Sequence, residues 1–391
     1  MGTGDIKTDG SKTSKNFDSN GRRSHLLSLV LLGFLVFGLS FEIIRDALTK
    51  GGDFEGYVLV GNLVLQGENI YSNPLINTWP PFFSISSVII ALIDNFNSQL
   101  SRFIWLTLSL LAMIRVIQIT TKMVLKRRLI FYPFKAENTL SSNSIHISHW
   151  IILVPILIVF RYILDNMSNI QINIFILFFS MISLYCFTKG KDVLAALSLA
   201  FGISLKVYPI FLLFYFLVKR EFRIAGFTIF FCALFALFPF LVFGYEESIN
   251  YYTFWYQHNV VPFASVAHKN QSFFSMMRSL LTYESPGLNQ PLNKEIYINI
   301  LNLSISGVKV VSYSLIALVG SAVVYIFRNK LNERNSLKSF LEYAFILTII
   351  PILSPLAWKA YFIFLFPGYF VSCLFLFHYK NTLTKATNVF L

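Results

Sequence analysis

Long apolar runs separated by short polar segments recur through most of this 391-residue chain. The runs fall near residues 25–45, 81–94, 101–124, 148–165, 169–188, 192–218, 222–243, 306–327, 338–353 and 356–378. An α-helix needs about 20 apolar residues to cross the hydrocarbon core of a bilayer, and most of these runs approach that length. A membrane β-barrel would show short alternating strands instead. The pattern therefore predicts an all-α, polytopic membrane protein.

Basic residues lie in short segments between the apolar runs, at 126–128, 189–191, 219–223 and 328–334. Cytoplasmic loops of membrane proteins carry such an excess of Lys and Arg, so these segments are predicted to face the cytoplasm. The net charge of +13 is then explained without a nucleic-acid partner. The segments 46–80 and 245–305 are predicted to be extracytoplasmic loops, the second of them folded and packed on the membrane.

Two apolar runs do not fit a simple count of membrane crossings. The run 81–94 is short enough to be re-entrant. The run 192–218 has basic residues at both ends, and Lys206-Val207-Tyr208-Pro209 should break it, because proline disfavours helix at the residue before it. We expect about 9–12 transmembrane or re-entrant helices.

The chain is predicted to have one transmembrane domain and two polar ends. Residues 1–24 are low in aromatics and rich in Ser, Lys, Asp and Gly, which predicts a disordered cytoplasmic tail. The transmembrane domain is expected to span residues 25–379. Residues 380–391 are expected to form a second cytoplasmic tail.

Asp53 is the strongest catalytic candidate, because it follows the first apolar run where a helix would meet water. Two roles are open to it. An aspartate ahead of a helical stretch often caps the helix N-terminus. The same carboxylate could act as a general base on an acceptor hydroxyl. Tyr57, one helical turn later, would share its face, whereas Glu55 would point away.

Lys206 is the second candidate, because a lysine inside an apolar run costs about 2.5–3.5 kcal/mol on insertion scales. It could extend its ammonium to the membrane interface. Alternatively, with Tyr208 and Pro209 breaking the helix beside it, it could face a phosphate in a cavity.

Two further groups of polar residues stand in the predicted outer loops. Asn270, Gln271, Ser272 and Arg278 could bind sugar hydroxyls or a phosphate, and the first three also match a glycosylation sequon. Trp358 and Lys359 could anchor the last span at the interface or contact substrate. His258 lacks helical metal-ligand spacing, and an ordinary loop histidine is the simpler interpretation.

Taken in chain order, these residues resemble a known family of membrane enzymes. The residues that carry the resemblance are Asp53, Tyr57, Gly67, Tyr71, Trp79-Pro80-Pro81, Asn169, Gln171, Asn173, Lys206-Val207-Tyr208-Pro209, Asn270-Gln271-Ser272, Arg278, Ser354-Pro355 and Trp358. They resemble glycosyltransferase family 87 of the GT-C superfamily, which uses polyprenyl-phosphate sugars. The sequence departs from the family pattern at Trp79, where Tyr is commoner, and at Ile170, where the pattern has Gly.

The resemblance implies a GT-C-like fold and an inverting hexose transfer on the extracytoplasmic side of the plasma membrane, with mannose the usual sugar. The implied partners are a polyprenyl-phosphate sugar donor and a lipid or glycan acceptor, with no cofactor and no metal. Asp53 would be the catalytic base, and Lys206 or Arg278 would stabilise the leaving phosphate. The expected substrate-binding residues are Tyr57, Lys206, Tyr208, His258, Asn270, Gln271, Ser272, Arg278, Trp358 and Lys359.

Two other classes of membrane protein share some of these features. A transporter or flippase of lipid-linked glycans would also use a buried lysine at a broken helix. An O-antigen ligase or polymerase would also have a large outer loop, with its catalytic residues chiefly in that late loop.

Overall fold

The structure is a computed structural model that describes residues 26–27, 30–45, 49, 51–72, 77–126, 128–130, 135–137, 150–260, 262–267, 269–285, 288–289 and 294–378. The cytoplasmic tails predicted for residues 1–24 and 380–391 lie outside the described residues.

The described part of the chain is built almost wholly from α-helices. In chain order they are α1 (30–45), α2 (Gly52–Gln66), α3 (Pro81–Ser86), α4 (Val88–Phe96), α5 (Ser98–Leu125), α6 (Trp150–Ser168), α7 (Asn173–Thr188), α8 (Asp192–Leu205), α9 (Ile210–Val218), α10 (Phe222–Phe243), α11 (Tyr245–Trp255), α12 (Phe273–Leu281), α13 (Ile305–Phe327), α14 (Leu337–Leu353) and α15 (Phe366–His378). A turn of π-helix (Tyr256–Val260) and a 3₁₀-helix (Lys359–Leu365) complete them.

Four short strands form two antiparallel hairpins in loops between helices. Strand β1 (Arg128–Ile130) pairs with β2 (Lys135–Glu137), and β3 (Leu288–Asn289) pairs with β4 (Lys294–Glu295). The prediction of an all-α protein is confirmed.

Five helical stretches in the described part of the chain are long and apolar enough to cross a membrane. They are Ser98–Leu125, Trp150–Ser168, Phe222–Phe243, Ile305–Phe327 and Lys359–Phe377. Three shorter apolar stretches are Pro81–Phe96, Asn173–Thr188 and Asp192–Leu205. The polytopic prediction is confirmed, and the count of about 9–12 transmembrane or re-entrant helices remains a prediction.

The run 81–94 folds as two short helices, α3 and α4, rather than as one span. Helix α2 packs against their junction at Gly61, where an added Cβ would lie 2.4 Å from the carbonyl oxygen of Ser87. Glycine permits this close approach of the two backbones. The break between α3 and α4 lets both short helices pack beside α2.

The run 192–218 is interrupted at the site expected from its sequence. Helix α8 ends at Leu205, and α9 begins at Ile210. The last helical hydrogen bond joins the amide of Lys206 to the carbonyl of Gly202, at 3.0 Å. Pro209 has no N–H with which to continue the ladder, so the chain turns and exposes Lys206 to the space between the half-helices.

Helix α8 packs between α7 and α10 and forms the centre of the core. The basic segments meet at one end of this bundle. Arg334 donates to the carboxylates of Asp192 at 2.6 Å and Glu221 at 2.5 Å, and the buried Lys219 lies 2.7 Å from Glu342. Opposite charges satisfy one another there, as burial of charged groups requires.

The predicted outer loops are folded. Residues 245–305 contain α11, the π-helical turn and α12. Tyr71 from the first loop stacks on Phe254, with ring centroids 5.2 Å apart, and its hydroxyl donates to the carbonyl of Trp79 at 2.6 Å. The two loops therefore pack on each other, and this contact holds Trp79 in place.

Candidate active site

A cavity of about 990 Å³ lies where the predicted outer loops meet the turn between α8 and α9. Its lining comes from residues of five regions: 52–59, 78–80, 206–211, 255–264 and 353–361, together with Gln171, Phe274 and Tyr313. Such a volume is at the upper end of the range for small-molecule sites. The polar side chains gather around Asp53 and Lys206, and the rest of the wall is mostly apolar.

Asp53 lines the cavity from the first turn of α2. The N-cap position belongs to Gly51, and no side chain caps this helix, so the N-cap alternative for Asp53 is wrong. The backbone amide of Asp53 donates to the carbonyl of Asn169 at 2.9 Å. The carboxylate is thereby free to face the cavity.

The surroundings of Asp53 raise its pKa above the ordinary value, chiefly because burial disfavours the charged form. The nearby Lys206 ammonium lowers this pKa, Asp165 raises it, and a hydrogen bond from the Gln171 side chain lowers it. A raised carboxyl pKa brings the group closer to the values at which a general base works well near neutral pH.

Lys206 faces the same cavity within an aromatic and amide surround. Its Nζ donates to Asn173 Oδ1 at 2.8 Å and lies 4.1 Å from the centroid of the Tyr361 ring. The hydroxyls of Tyr208 and Tyr361 are 3.0 Å apart. Attraction between the ammonium and the ring face holds the lysine in the cavity wall.

Four of the residues predicted from the sequence line the cavity: Asp53, Lys206, Tyr208 and Trp358. Tyr57 lies beneath it, buried against Trp79 and Phe83, and its hydroxyl accepts from the backbone amide of Ile172 at 3.2 Å. Tyr57 therefore supports the floor of the cavity instead of lining it.

Asn270 and Ser272 form a clamp on the segment between α14 and the 3₁₀-helix. The Asn270 amide donates to the carbonyl of Pro355 at 3.1 Å and accepts from the amide of Ala357 at 3.0 Å. Ser272 caps α12 by accepting from the amide of Ser275 at 3.1 Å. Gln271 bonds through its backbone to the carbonyl of Ala357, at 2.8 Å. The triplet shapes the cavity wall without lining the cavity.

Arg278, His258 and Lys359 also lie outside the cavity lining. Arg278 forms a two-point ion pair with Glu284, at 2.9 and 3.1 Å, and donates to the carbonyl of Ala264 at 3.1 Å. His258 stacks on Phe254. Lys359 is exposed at the start of the 3₁₀-helix.

The polar residues that line the cavity but were absent from the expected site include Gln171, Tyr361 and Glu55. Gln171 and Tyr361 lie beside Asp53 and Lys206, and Glu55 lines the cavity from α2. The position of Gln171 two residues before Asn173 was a signal that could have placed it in the site. Tyr361 gave no comparable local signal, because its place in the site depends on the turn between α8 and α9.

A family model for glycosyltransferase family 87 matches residues 77–359, which is most of the chain. The chain belongs to glycosyltransferase family 87. Comparison with curated proteins and with solved structures found no match. Membership makes the chain a membrane glycosyltransferase, which favours an enzyme over the transporter or flippase alternative. The matched residues include Lys206 and Gln171 but begin after Asp53, so the role of Asp53 rests on its geometry.

Ile170, one of the two residues at which the sequence departs from the resemblance, has a strained backbone conformation. Ile170 is fully buried and has a φ of 47°, in the left-handed region that β-branched residues rarely adopt. Glycine, the residue that the resemblance leads us to expect here, would adopt this conformation freely. The core contacts of the isoleucine side chain hold the turn that presents Gln171 to the cavity.

Gly52 determines where this glycosyltransferase places Asp53. Its φ is +51°, and an added Cβ would lie 2.4 Å from the carbonyl oxygen of Asn169. We expect Gly52→Ala to reduce the free energy of unfolding by at least about 1–2 kcal/mol from the left-handed backbone alone. Movement of α2 away from Asn169 should also lower sugar-transfer turnover. Thermal unfolding in detergent and a transfer assay measure the two effects.

Gly51→Ala is the matched control for this substitution. Gly51 has a φ of −94°, which alanine adopts readily. Its added Cβ would meet the side chain of Glu55, which is exposed and can move away. Equal losses in the two variants would contradict the importance of the Gly52 conformation.

Proposed function

We propose that this family 87 member transfers a hexose from a polyprenyl-phosphate sugar to a hydroxyl of a lipid or glycan acceptor, with inversion and without a metal. Mannose is the sugar we expect from the family resemblance. The observation that carries the proposal is that a carboxylate, Asp53, and a lysine, Lys206, share one cavity in a membrane protein. The plasma membrane is the proposed location, with the cavity on its extracytoplasmic side.

Asp53 and Lys206 suit the two parts of an inverting displacement, activation of the acceptor hydroxyl and departure of the phosphate. The Asp53 carboxylate takes the proton of the acceptor hydroxyl while that oxygen attacks C1 of the donor sugar. The bond between C1 and the phosphate oxygen breaks, and polyprenyl phosphate leaves with the bonding electrons. The Lys206 ammonium donates to a phosphate oxygen as negative charge develops on it.

The cavity wall favours a lipid phosphate over a nucleotide diphosphate as the donor. Lys206 is the one cationic side chain among the described residues that line the cavity. One ammonium suits a single phosphate group, whereas a diphosphate is usually held by several cationic or metal contacts. Ile210, Phe211 and Leu353 supply the apolar surface that an isoprenoid chain requires.

A transfer assay with two labelled donors tests this proposal. The purified chain in detergent is supplied with membrane lipid acceptors and with either polyprenyl-phosphate [¹⁴C]mannose or a nucleotide-diphosphate [¹⁴C]mannose. We expect label in the acceptor fraction from the lipid donor alone, unchanged by EDTA. NMR of the product should show the anomeric configuration opposite to that of the donor.

Comparing the two donors tests whether the enzyme uses a lipid-phosphate sugar. Transfer from the nucleotide sugar in preference to the lipid donor would refute that part of the proposal. Repeating the assay with polyprenyl-phosphate glucose separates a wrong sugar from a wrong donor class. A retained anomeric configuration would refute the inverting mechanism.

A further inference from the structure

Side-chain hydrogen bonds link Lys206, Asn173 and Gln171 in the cavity wall, and Asp53 lies beside Gln171. Lys206 Nζ donates to Asn173 Oδ1 at 2.8 Å. Asn173 Nδ2 donates to Gln171 Oε1 at 2.6 Å. Gln171 and Asp53 line the same cavity, and the Gln171 side chain lies close enough to the Asp53 carboxyl group to favour its ionised form. Two neutral amides therefore connect the cation and the anion to which the proposed function gives its two chemical roles.

The charges at the two ends determine how both amides are oriented. An ammonium only donates hydrogen bonds, so Asn173 must turn its oxygen toward Lys206 and its nitrogen toward Gln171. Gln171 then accepts through its oxygen, which leaves its nitrogen to face Asp53. An ionised carboxylate only accepts, so this last contact favours the ionised form. Both amides point their N–H groups toward Asp53.

The two amides are held rigidly by the fold around them. Asn173 is 1% exposed and Gln171 is 3% exposed, so neither has free access to water. Asn173 is the first residue of α7. The backbone amide of Gln171 donates to the carbonyl of Asn166 at 2.8 Å, and the intervening Ile172 is bonded to the hydroxyl of Tyr57.

We propose that Gln171 and Asn173 are positioning residues that hold the Asp53 carboxylate and the Lys206 ammonium in a fixed relation across the cavity wall. The inference rests on the proposed function, because that function gives Asp53 and Lys206 their roles. The amides take the place of water around both charges, and their fixed dipoles need no rearrangement during the reaction. The two amides also favour the ionised form of Asp53 before an acceptor binds.

Other charged and titratable groups also influence the protonation of Asp53, and their influence is present in every variant tested. Lys206 and Asp165 face it from neighbouring elements and shift its pKa in opposite directions. The phenols of Tyr57 and Tyr361 lie close enough to Asp53 to interact electrostatically with its carboxylate. Glu55, on the same helix, lies 3.8 Å from Arg102. None of these residues is itself replaced when the amide bridge is changed.

Asn173→Asp tests the proposal with a change of nearly the same shape. The new carboxylate would neutralise Lys206 and could no longer donate to Gln171. Gln171 would then be free to turn its oxygen toward Asp53. All three effects favour protonated Asp53, so its pKa should rise by about one unit or more.

The protonation of Asp53 can be followed without an activity assay. Hydrophobic carbodiimides react with protonated carboxyl groups, and peptide mapping by mass spectrometry reports labelling at Asp53 separately from other carboxylates. The full chain in detergent is labelled over a range of pH. The midpoint for Asp53 should move to higher pH in Asn173→Asp, and the acidic limb of kcat/KM for transfer should move with it.

Two further variants keep the test decisive. Asn270→Asp makes the same chemical change at another buried asparagine, and we expect it to destabilise the clamp while the Asp53 midpoint stays unchanged. Gln171→Glu places the new charge next to Asp53, so it should move the labelling midpoint of Asp53 further than Asn173→Asp does.

The possible outcomes separate this inference from the proposed function. An unmoved midpoint in folded Asn173→Asp and Gln171→Glu would overturn the inference, even if transfer activity fell. Equal movement in Asn270→Asp would overturn it as well, because a merely structural effect would then suffice. A moved midpoint in a chain that transfers sugar from no donor would support the bridge and refute the proposed function.

Discussion

Asp53→Asn is expected to lower the turnover number for sugar transfer by about 10²–10⁴-fold, the contribution of a single well-placed general base. The variant keeps the size of the side chain and its backbone bond to Asn169, but it cannot accept the proton of the acceptor hydroxyl. Substrate binding should change much less, because the amide can still occupy the same place in the cavity wall. Steady-state kinetics with the labelled lipid donor therefore should show the loss in kcat rather than in KM.

Glu55→Gln is the matched control for this substitution. It removes a carboxylate from the same cavity and the same helix, two residues farther along. The Glu55 side chain is 68% exposed and lies 3.8 Å from Arg102, so its solvation differs little from that in water. We expect Glu55→Gln to keep most of the turnover. Comparable losses in both variants, or full turnover in Asp53→Asn, would remove Asp53 from the mechanism.

The pH dependence provides a second measurement on Asp53. Burial raises its pKa, so the ionised base is lost as pH falls through that raised value rather than through the ordinary aspartate range. The acidic limb of kcat/KM in the wild-type chain should therefore lie above the ordinary pKa of an aspartate. The residual activity of Asp53→Asn should lack this limb.

The sequence was sufficient to predict most of the fold. Apolar run length located the long helices, because the bilayer imposes a length on each span. The proline at position 209 located the break between α8 and α9, because its missing N–H and its ring act locally. Both signals depend only on neighbouring residues or on the solvent, so they do not require knowledge of which helices meet.

The candidate site was harder to predict because it depends on contacts between distant segments. Asn270 is separated by 85 residues from Pro355, the group that its amide binds. A polar side chain in a loop has the same sequence signature whether its partner is a sugar hydroxyl or a backbone carbonyl. The Arg278 guanidinium pairs with Glu284, only six residues away, and the sequence does not distinguish such a local ion pair from a phosphate contact.

Lys206→Met is expected to lower kcat by about 10²–10³-fold, the usual effect of removing one group that stabilises developing negative charge. Methionine preserves the length and apolar character of the side chain but cannot donate to the leaving phosphate. Losing the ammonium should also raise the pKa of Asp53, since Lys206 lowers it. The acidic limb of kcat/KM should therefore move to higher pH along with the loss in turnover.

The folded fraction must be measured for Lys206→Met, because the variant leaves Asn173 Oδ1 without its donor, at a cost of about 1–3 kcal/mol for a buried group. Lys269→Met is the control, since Lys269 is exposed and does not line the cavity. Turnover per folded molecule should fall in the first variant and persist in the second. If Lys206→Met instead kept its turnover and its pH profile, Lys206 would have no role in stabilising the leaving phosphate.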